Sequence, residues 1–241
     1  MKIYLAGIGN FCWQPRNFYN FYRLESYLVI KKDDPIERYK DFILDSGIFS
    51  YLNGKKTEGV DWDKYVYDYA KLVRERRIRN YVEVDVDKMI GLKETERLRR
   101  SLETQVGWKS MPVWHTNRGY DKWLEICRDY DYVCFGAFLT DNLDASKYYL
   151  VEKFISDAQK ENTKVHGLGF TNFNWLKKLK FYSVDSSSWL SGVRYGHLNM
   201  YEGGKVVNIH KKEHRIKDIY KLAWHNFNQW LLFSNYAETH L

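Results

Sequence analysis

Short apolar runs rich in Val, Ile, Tyr and Phe recur along the chain. Between them lie longer stretches in which apolar residues return every three or four positions. The short runs predict strands over 2–7 (KIYLAG), 27–31 (YLVIK), 42–45 (FILD), 81–86 (YVEVDV), 111–115 (MPVWH), 132–138 (YVCFGAF), 164–168 (KVHGL) and 181–185 (FYSVD). The longer patterns predict helices over about 15–24, 61–77, 91–106, 119–129, 144–160, 172–179 and 215–236. In VDWDKYVYDYAKLVRER, Tyr65, Tyr69 and Leu72 share one stripe, and Asp61 is placed to cap the first turn.

Strand and helix alternating through short connections imply a parallel sheet with helices packed on it. Eight strands in 241 residues match the size of a closed barrel, so the expectation is α/β, a single compact (β/α)8 TIM-type barrel domain spanning 1–241. The segment 32–41, KKDDPIERYK, has room for only a turn or two of helix. A doubly wound open sheet is the alternative, but no GxGxxG follows the first strand. There is no internal repeat, no low-complexity segment and, with 3 Pro and no Ser/Gly-rich run, no linker.

Composition changes this picture in three ways. Aromatic residues make up 17% of the chain, so core and cleft walls should be rich in rings. The formal charge is +7, which suits contact with a polyanion such as nucleic acid and equally describes a merely basic soluble protein. Cys12, Cys127 and Cys134 are far apart and form no disulfide framework, which fits a reducing cytoplasm. No apolar run nears the ~20 residues needed to span a bilayer, and no charged-then-apolar leader opens the chain, so no membrane contact is expected.

In a barrel of this kind, chemistry is built where strands end at the C-terminal face. Those ends supply Asp45-Ser46-Gly47, Asp85 and Asp87, His115, Gly136-Ala137, His166-Gly167-Leu168-Gly169, and Asp185. The segment YSVDSSSWLSGVRYG carries an apolar strand straight into Asp185, followed by small residues and then Arg194 and Gly196. FILDSGIFSY has the same grammar around Asp45. Carboxylates, histidines and glycine-lined edges thus converge on one mouth, where glycines let a flat ligand lie against backbone amides.

In order and spacing these segments resemble the tRNA-guanine transglycosylase superfamily, closest to its compact phage DNA-guanine transglycosylases (the DpdA group). LDSGIFSY resembles the segment bearing that family's acid/base aspartate, YVEVDVDKM its base-reading strand, and PVWHTNRG its base-contacting glutamine segment. YVCFGAF resembles the Gly-Gly strand under the base, KVHGLGFTNFNWL the Met-Gly-Val-Gly segment, and YSVDSSSWLSGVRYG the segment of the nucleophile with its downstream Arg-x-Gly. The resemblance runs from about residue 40 to 197.

It implies a pentosyltransferase that exchanges guanine for a 7-deazaguanine in nucleic acid through a covalent aspartyl-glycosyl intermediate. Asp185 would be the nucleophile and Asp45 the acid/base. Asp85, with Asp87 as second choice, would read the base edge, and His115 would contact the base. Ser46, Gly47, Phe49, Gly136, Ala137, His166, Gly167, Gly169 and Arg194 complete the implied substrate site. No metal or redox cofactor is required. Two departures stand out. No cysteine follows Cys134, so the family's three-cysteine, one-histidine zinc site is missing, and His210 with His214 is only a two-histidine fragment. The chain is also shorter than the tRNA enzymes, which favours DNA over tRNA as partner. Lys205, Lys211, Lys212 and Arg215 are expected to meet the nucleic-acid backbone.

Each residue also has a structural reading. Asp185 is placed to cap the turn before Ser186-Ser187-Ser188, and Asp45 to hold a turn through its side chain. Strand alternation sets Glu83, Asp85 and Asp87 on one face, the barrel interior, with Glu83 a structural partner. His115 and His166 suit hydrogen-bonded histidines of the barrel mouth, and Phe49 suits core packing. The basic clusters 74–79 and 97–100 read as solvated helix faces. The functional alternatives are a nucleoside or nucleotide glycosidase or deoxyribosyltransferase acting on free nucleotides, and a non-catalytic nucleic-acid-binding barrel.

Overall fold

In the computed structural model, which describes residues 1–10, 19–52, 54, 59–141, 143–210 and 218–241, eight parallel strands form one sheet. They are β1 (Lys2–Ala6), β2 (Tyr22–Ser26), β3 (Asp41–Asp45), β4 (Asn80–Tyr81), β5 (Val113–Trp114), β6 (Tyr132–Phe135), β7 (Lys164–Gly167) and β8 (Ser183–Ser186). Their order is β4-β3-β2-β1-β8-β7-β6-β5. A parallel bridge between Val82 and Met111 joins the two ends, through Met111 N–H to Tyr81 O (2.8 Å) and Glu83 N–H to Met111 O (3.0 Å). The ring is a (β/α)8 TIM-type barrel.

The helices are α1 (Ile48–Leu52), α2 (Trp62–Glu75), α3 (Asp87–Ile90), α4 (Leu92–Val106), α5 (Gly119–Asp129), α6 (Ala137–Thr140), α7 (Tyr148–Lys160), α8 (Phe173–Leu176), α9 (Ser191–Tyr195) and α10 (Ile219–His240). The longer ones follow the expected patterns closely. Asp61 caps α2 by accepting from Lys64 N–H at 2.9 Å, and Val66, Tyr69, Ala70 and Val73 are its buried face. An antiparallel hairpin, β9 (His197–Glu202) with β10 (Lys205–His210), lies outside the barrel against α10; the sequence patterns gave no sign of it.

The core has two compartments. Inside the ring, Tyr4, Leu24, Ile43, Val82, Val113 and Cys134 fill the barrel. Outside, the opposite faces of the strands pack on the helices, with rings such as Trp114 and Phe154 4.6 Å apart between centroids. Helix α10 runs down the outside of β1, from Trp189 and Phe227 near the C-terminal face to the opposite end. There Ala237 O accepts from the Met1 ammonium (3.0 Å).

The second strand is where expectation and structure part. It occupies Tyr22–Ser26, not 27–31, and so replaces the end of the helix expected over 15–24; residues 15–18 of that helix lie outside the described residues. The reason is a buried ion cluster. Arg23 and Glu25 point outward from β2, where no helix follows and a 3-10 turn (Ile36–Arg38) lies instead. Arg23 donates to Asp34 (2.6 Å), Glu25 (2.9 Å) and the Tyr39 hydroxyl (2.7 Å), all buried. Charged residues on a strand's covered face erase the apolar run by which strands are found.

The fourth strand is shorter than expected. After Val82 the chain leaves the ladder, and the Glu83 carboxylate takes over the ladder's next bond, accepting from Val113 N–H at 2.7 Å. Glu83 also receives Arg118 (2.7 Å) and Arg99 (3.3 Å), and Arg118 reaches on to Asp87 (3.1 Å). Glu83, Asp85 and Asp87 therefore do not share one interior face. Arg99, expected on a solvated helix face, is buried.

Removing one member of such a cluster strands the others in a medium that solvates charge poorly. Arg118→Met should therefore lower unfolding free energy by about 3–5 kcal/mol, measured by urea titration. A loss no larger than that of an exposed control such as Arg128→Met would contradict this account.

Candidate active site

Asp185 sits at the mouth because of register. It pairs with the interior residue Tyr4 of β1, and partners in a parallel ladder point to the same side. Its Oδ1 accepts from Gly169 N–H at 2.7 Å and lies 3.3 Å from His166 Nε2. Gly169 adopts φ +64°, a backbone conformation that glycine favours. Oδ2 makes no hydrogen bond among the described residues, although Asp185 is only 8% exposed and lines a pocket.

Asp45 ends β3 and lines the same pocket. Its Oδ2 accepts from Gly47 N–H at 2.9 Å, a turn that needs the φ of +84° at Gly47. Helix α2 fixes this segment from outside, with the Tyr65 hydroxyl donating to Ser46 O (2.5 Å) and the Tyr69 hydroxyl to Leu44 O (3.0 Å). Burial and then the adjacent Asp85 carboxylate push the Asp45 carboxyl up to about 7. Asp185 and Glu25 add to this, and the Gly47 N–H opposes it. An acid poised near neutrality suits proton transfer in both directions.

Asp85 follows β4 and faces the pocket, held by the Ser46 hydroxyl (3.4 Å) and His115 Nε2 (3.1 Å). His115 directly follows β5 and is almost fully buried. Its ring lies so close to the end of β6 that a Cβ on Gly136 would come within 2.6 Å of Cε1. Glycine at 136 is thus what allows the imidazole to lie against the strand.

Together Asp45, Asp85, His115, Gly136, Gly169 and Asp185 rim a pocket of about 270 Å³, near the small end of ligand pockets at ~300–1,000 Å³. Leu24, Leu168 and the half-exposed Phe49 give it apolar walls, and Ser186, Ser187 and Ser188 line it beside Asp185. Leu24 enters the pocket from β2, the strand that the sequence pattern does not reveal. The serines also form the expected turn, in which Ser186 Oγ accepts from Ser188 N–H (3.1 Å).

The other expected site residues lie elsewhere. Ser46 and Gly47 hold Asp85 and Asp45 from behind, and His166, fully buried, does the same for Asp185. Gly167 and Ala137 are buried beneath the mouth and do not line the pocket. Asp87 faces Arg118 and Asn117, away from the pocket lining; burial works to raise its pKa, but Arg118 beside it holds the carboxyl below its ordinary value. Arg194 is exposed on α9 and does not line the pocket.

Lys205 begins β10 at the hairpin tip, whose Gly204 packs against the Tyr236 ring. That is the end of α10 beside Met1, opposite the mouth, so Lys205 is no part of a rim. Lys211, Lys212, His214 and Arg215, like Cys12, fall outside the described residues, and so does the side chain of His210.

Among the described residues, no cluster of three or more His, Cys, Asp or Glu side chains is arranged to hold a metal ion. None of their helices is long and apolar enough to cross a membrane. No protein-family model matches the chain, and no curated protein matches it.

The Asp45 carboxyl has a testable sign. In the unfolded chain it would titrate near ~3.9, so the folded protein holds this proton more tightly. The stability it contributes is fully present below that value and is lost as pH rises through about 7. Asp45→Asn should raise the melting temperature at pH 8 and change it little at pH 4. A carboxyl-carbon NMR titration should find the Asp45 midpoint near 7, moving down in Asp85→Asn; an ordinary carboxylate midpoint would contradict the assigned environment.

Proposed function

We propose that the chain is a guanine transglycosylase, a pentosyltransferase that replaces a guanine base in nucleic acid by a 7-deazaguanine through an aspartyl-glycosyl intermediate. The observation that carries this reading is the asymmetry of the two carboxylates in one pocket. Asp185 has one oxygen tied by Gly169 and the other without a hydrogen-bond partner among the described residues, whereas Asp45 carries a carboxyl raised to about 7. One group is set up to attack and the other to exchange a proton.

In the first half-reaction, Asp185 Oδ2 forms a bond to the anomeric carbon while the carbon–nitrogen bond to guanine breaks. The bonding pair leaves with the base, which takes a proton from Asp45. In the second half-reaction the incoming base attacks the same carbon, Asp185 departs as a carboxylate, and Asp45 recovers the proton lost by that base. The scheme parallels retaining glycoside hydrolysis with a base in place of water. Asp85, with His115 behind it, presents acceptor oxygens to the N–H edge of a purine, and Phe49 offers a ring face at the open side.

Nucleic acid as the polymer is supported by the charge of +7, and DNA is preferred to tRNA because the resemblance is closest to the compact DNA-guanine transglycosylases. A base must leave its stack to enter a pocket of this size. The reading on free nucleotides or nucleosides shares Asp185 and Asp45 and needs no basic rim. Among the described residues lining the pocket there is no Lys or Arg, so the pocket lining is neutral between the two readings.

Incubation with radiolabelled guanine tests the proposal, with single-stranded DNA, duplex DNA, tRNA and free deoxyguanosine monophosphate in parallel. Label should enter DNA, and Asp185→Asn should reduce incorporation by at least about 1,000-fold, as expected for loss of a nucleophile. Label entering only the mononucleotide would favour the free-nucleotide reading. Label entering nothing would sink base exchange.

A further inference from the structure

A hydrogen-bonded chain runs from Asp185 down into the barrel. His166 Nε2 lies 3.3 Å from Asp185 Oδ1, and His166 Nδ1 lies 2.6 Å from Ser183 Oγ. Ser183 Oγ is in turn hydrogen-bonded to the Tyr132 hydroxyl. His166 and Ser183 are fully buried, and the rings of Tyr4 and Tyr132 stand edge-on to the imidazole at 5.7 and 6.4 Å between centroids. Every member faces the barrel interior, and His166 pairs directly with Ser183 in the β7–β8 ladder. The resemblance implies a substrate-site role for His166, but this burial removes it from contact with any ligand.

We infer that His166 is the positioning residue of the nucleophile: it donates from Nε2 to Asp185 Oδ1 and turns Oδ2 toward the substrate. The polarity of the chain follows from donor counting. An ionised Asp185 only accepts, so Nε2 must carry the hydrogen. Nδ1 is then satisfied by the Ser183 hydroxyl, which is itself satisfied by the Tyr132 hydroxyl. The ring cannot rotate without breaking both of its hydrogen bonds, and the Tyr4 and Tyr132 rings leave it little room to do so. Gly169 and His166 therefore occupy one oxygen from two directions, which fixes the carboxylate plane.

The consequence for catalysis rests on the base-exchange reading. When Oδ2 bonds to the anomeric carbon and the base leaves with its electron pair, Oδ1 becomes the ester carbonyl. It can keep both donors, so neither hydrogen bond must break on the way into the intermediate or out of it. A donor held in place in this way costs no reorganisation during reaction.

Two measurements decide the inference. The first needs no activity: long-range proton–nitrogen spectra of histidine-labelled protein, with His166 assigned by its loss in His166→Gln. They should show a hydrogen on Nε2 at neutral pH; an unprotonated Nε2 would overturn the proposal. The second is base exchange in His166→Phe and His166→Gln. Phe should lower kcat about 100-fold with KM nearly unchanged, the scale of losing one fixed donor. Gln, whose amide can donate from the Nε2 position, should recover most of that loss. Equal loss in two folded variants, or a change confined to KM, would contradict a positioning role. If the wild-type protein exchanges no base at all, the functional reading fails, while the nitrogen spectra still decide the hydrogen bond.

Discussion

A side chain on a strand points either into the barrel or out of it, and around a closed ring of eight strands that constraint decides what meets at the mouth. Asp41, Ile43 and Asp45 of β3 alternate with residues that face the helices, so Asp45 faces inward because Ile43 does. Asp185 faces inward because its ladder partner is Tyr4. Lower in the barrel the same alternation supplies apolar filling, and at the C-terminal ends it supplies carboxylates, a histidine and glycine. The site is therefore a direct consequence of where each strand stops. A slip of one residue in β3 or β8 would turn its aspartate toward the helices.

That dependence explains why so many polar groups are buried behind the pocket. Desolvated charges are costly unless paired, and here they occur where the regular barrel is incomplete. Arg23, Glu25 and Asp34 fill the side of β2 where a 3-10 turn follows the strand in place of a longer helix, and Glu83, Arg99 and Arg118 fill the gap where β4 leaves the ladder beside β5. Both clusters lie one step behind pocket residues, since Ser26 ends β2 opposite Asp45 and Asp85 follows Glu83.

Most of the barrel was legible in the sequence, because seven of the eight strands present an apolar run before their functional end. The eighth, β2, was not, since YRLES hides a strand behind two charges whose partners, Asp34 and Tyr39, come later in the chain. The hairpin 197–210 was also illegible: it packs on α10 through one face, and its alternation is broken by Asn199 and Asn208, which bond to each other across it (2.7 Å). At the site, Asp185, Asp45, Asp85, His115, Gly136 and Gly169 could be placed from strand ends alone. Depth could not: nothing in KVHGLGF distinguishes a histidine that faces ligand from one buried a layer below, and only the pairing with Ser183 settles where His166 lies.

In the proposed base exchange Asp185, held by one oxygen, carries the sugar on the other. The most direct measurement is mass spectrometry of the protein incubated with guanine-containing DNA and 9-deazaguanine, a base analogue with carbon at the position that must rejoin the sugar. The expected product is an adduct of the oligonucleotide mass plus protein, less one guanine, mapping to the peptide that contains Asp185 and absent from Asp185→Asn. An adduct on another residue, or turnover of bases with no adduct in the wild-type protein, would contradict it.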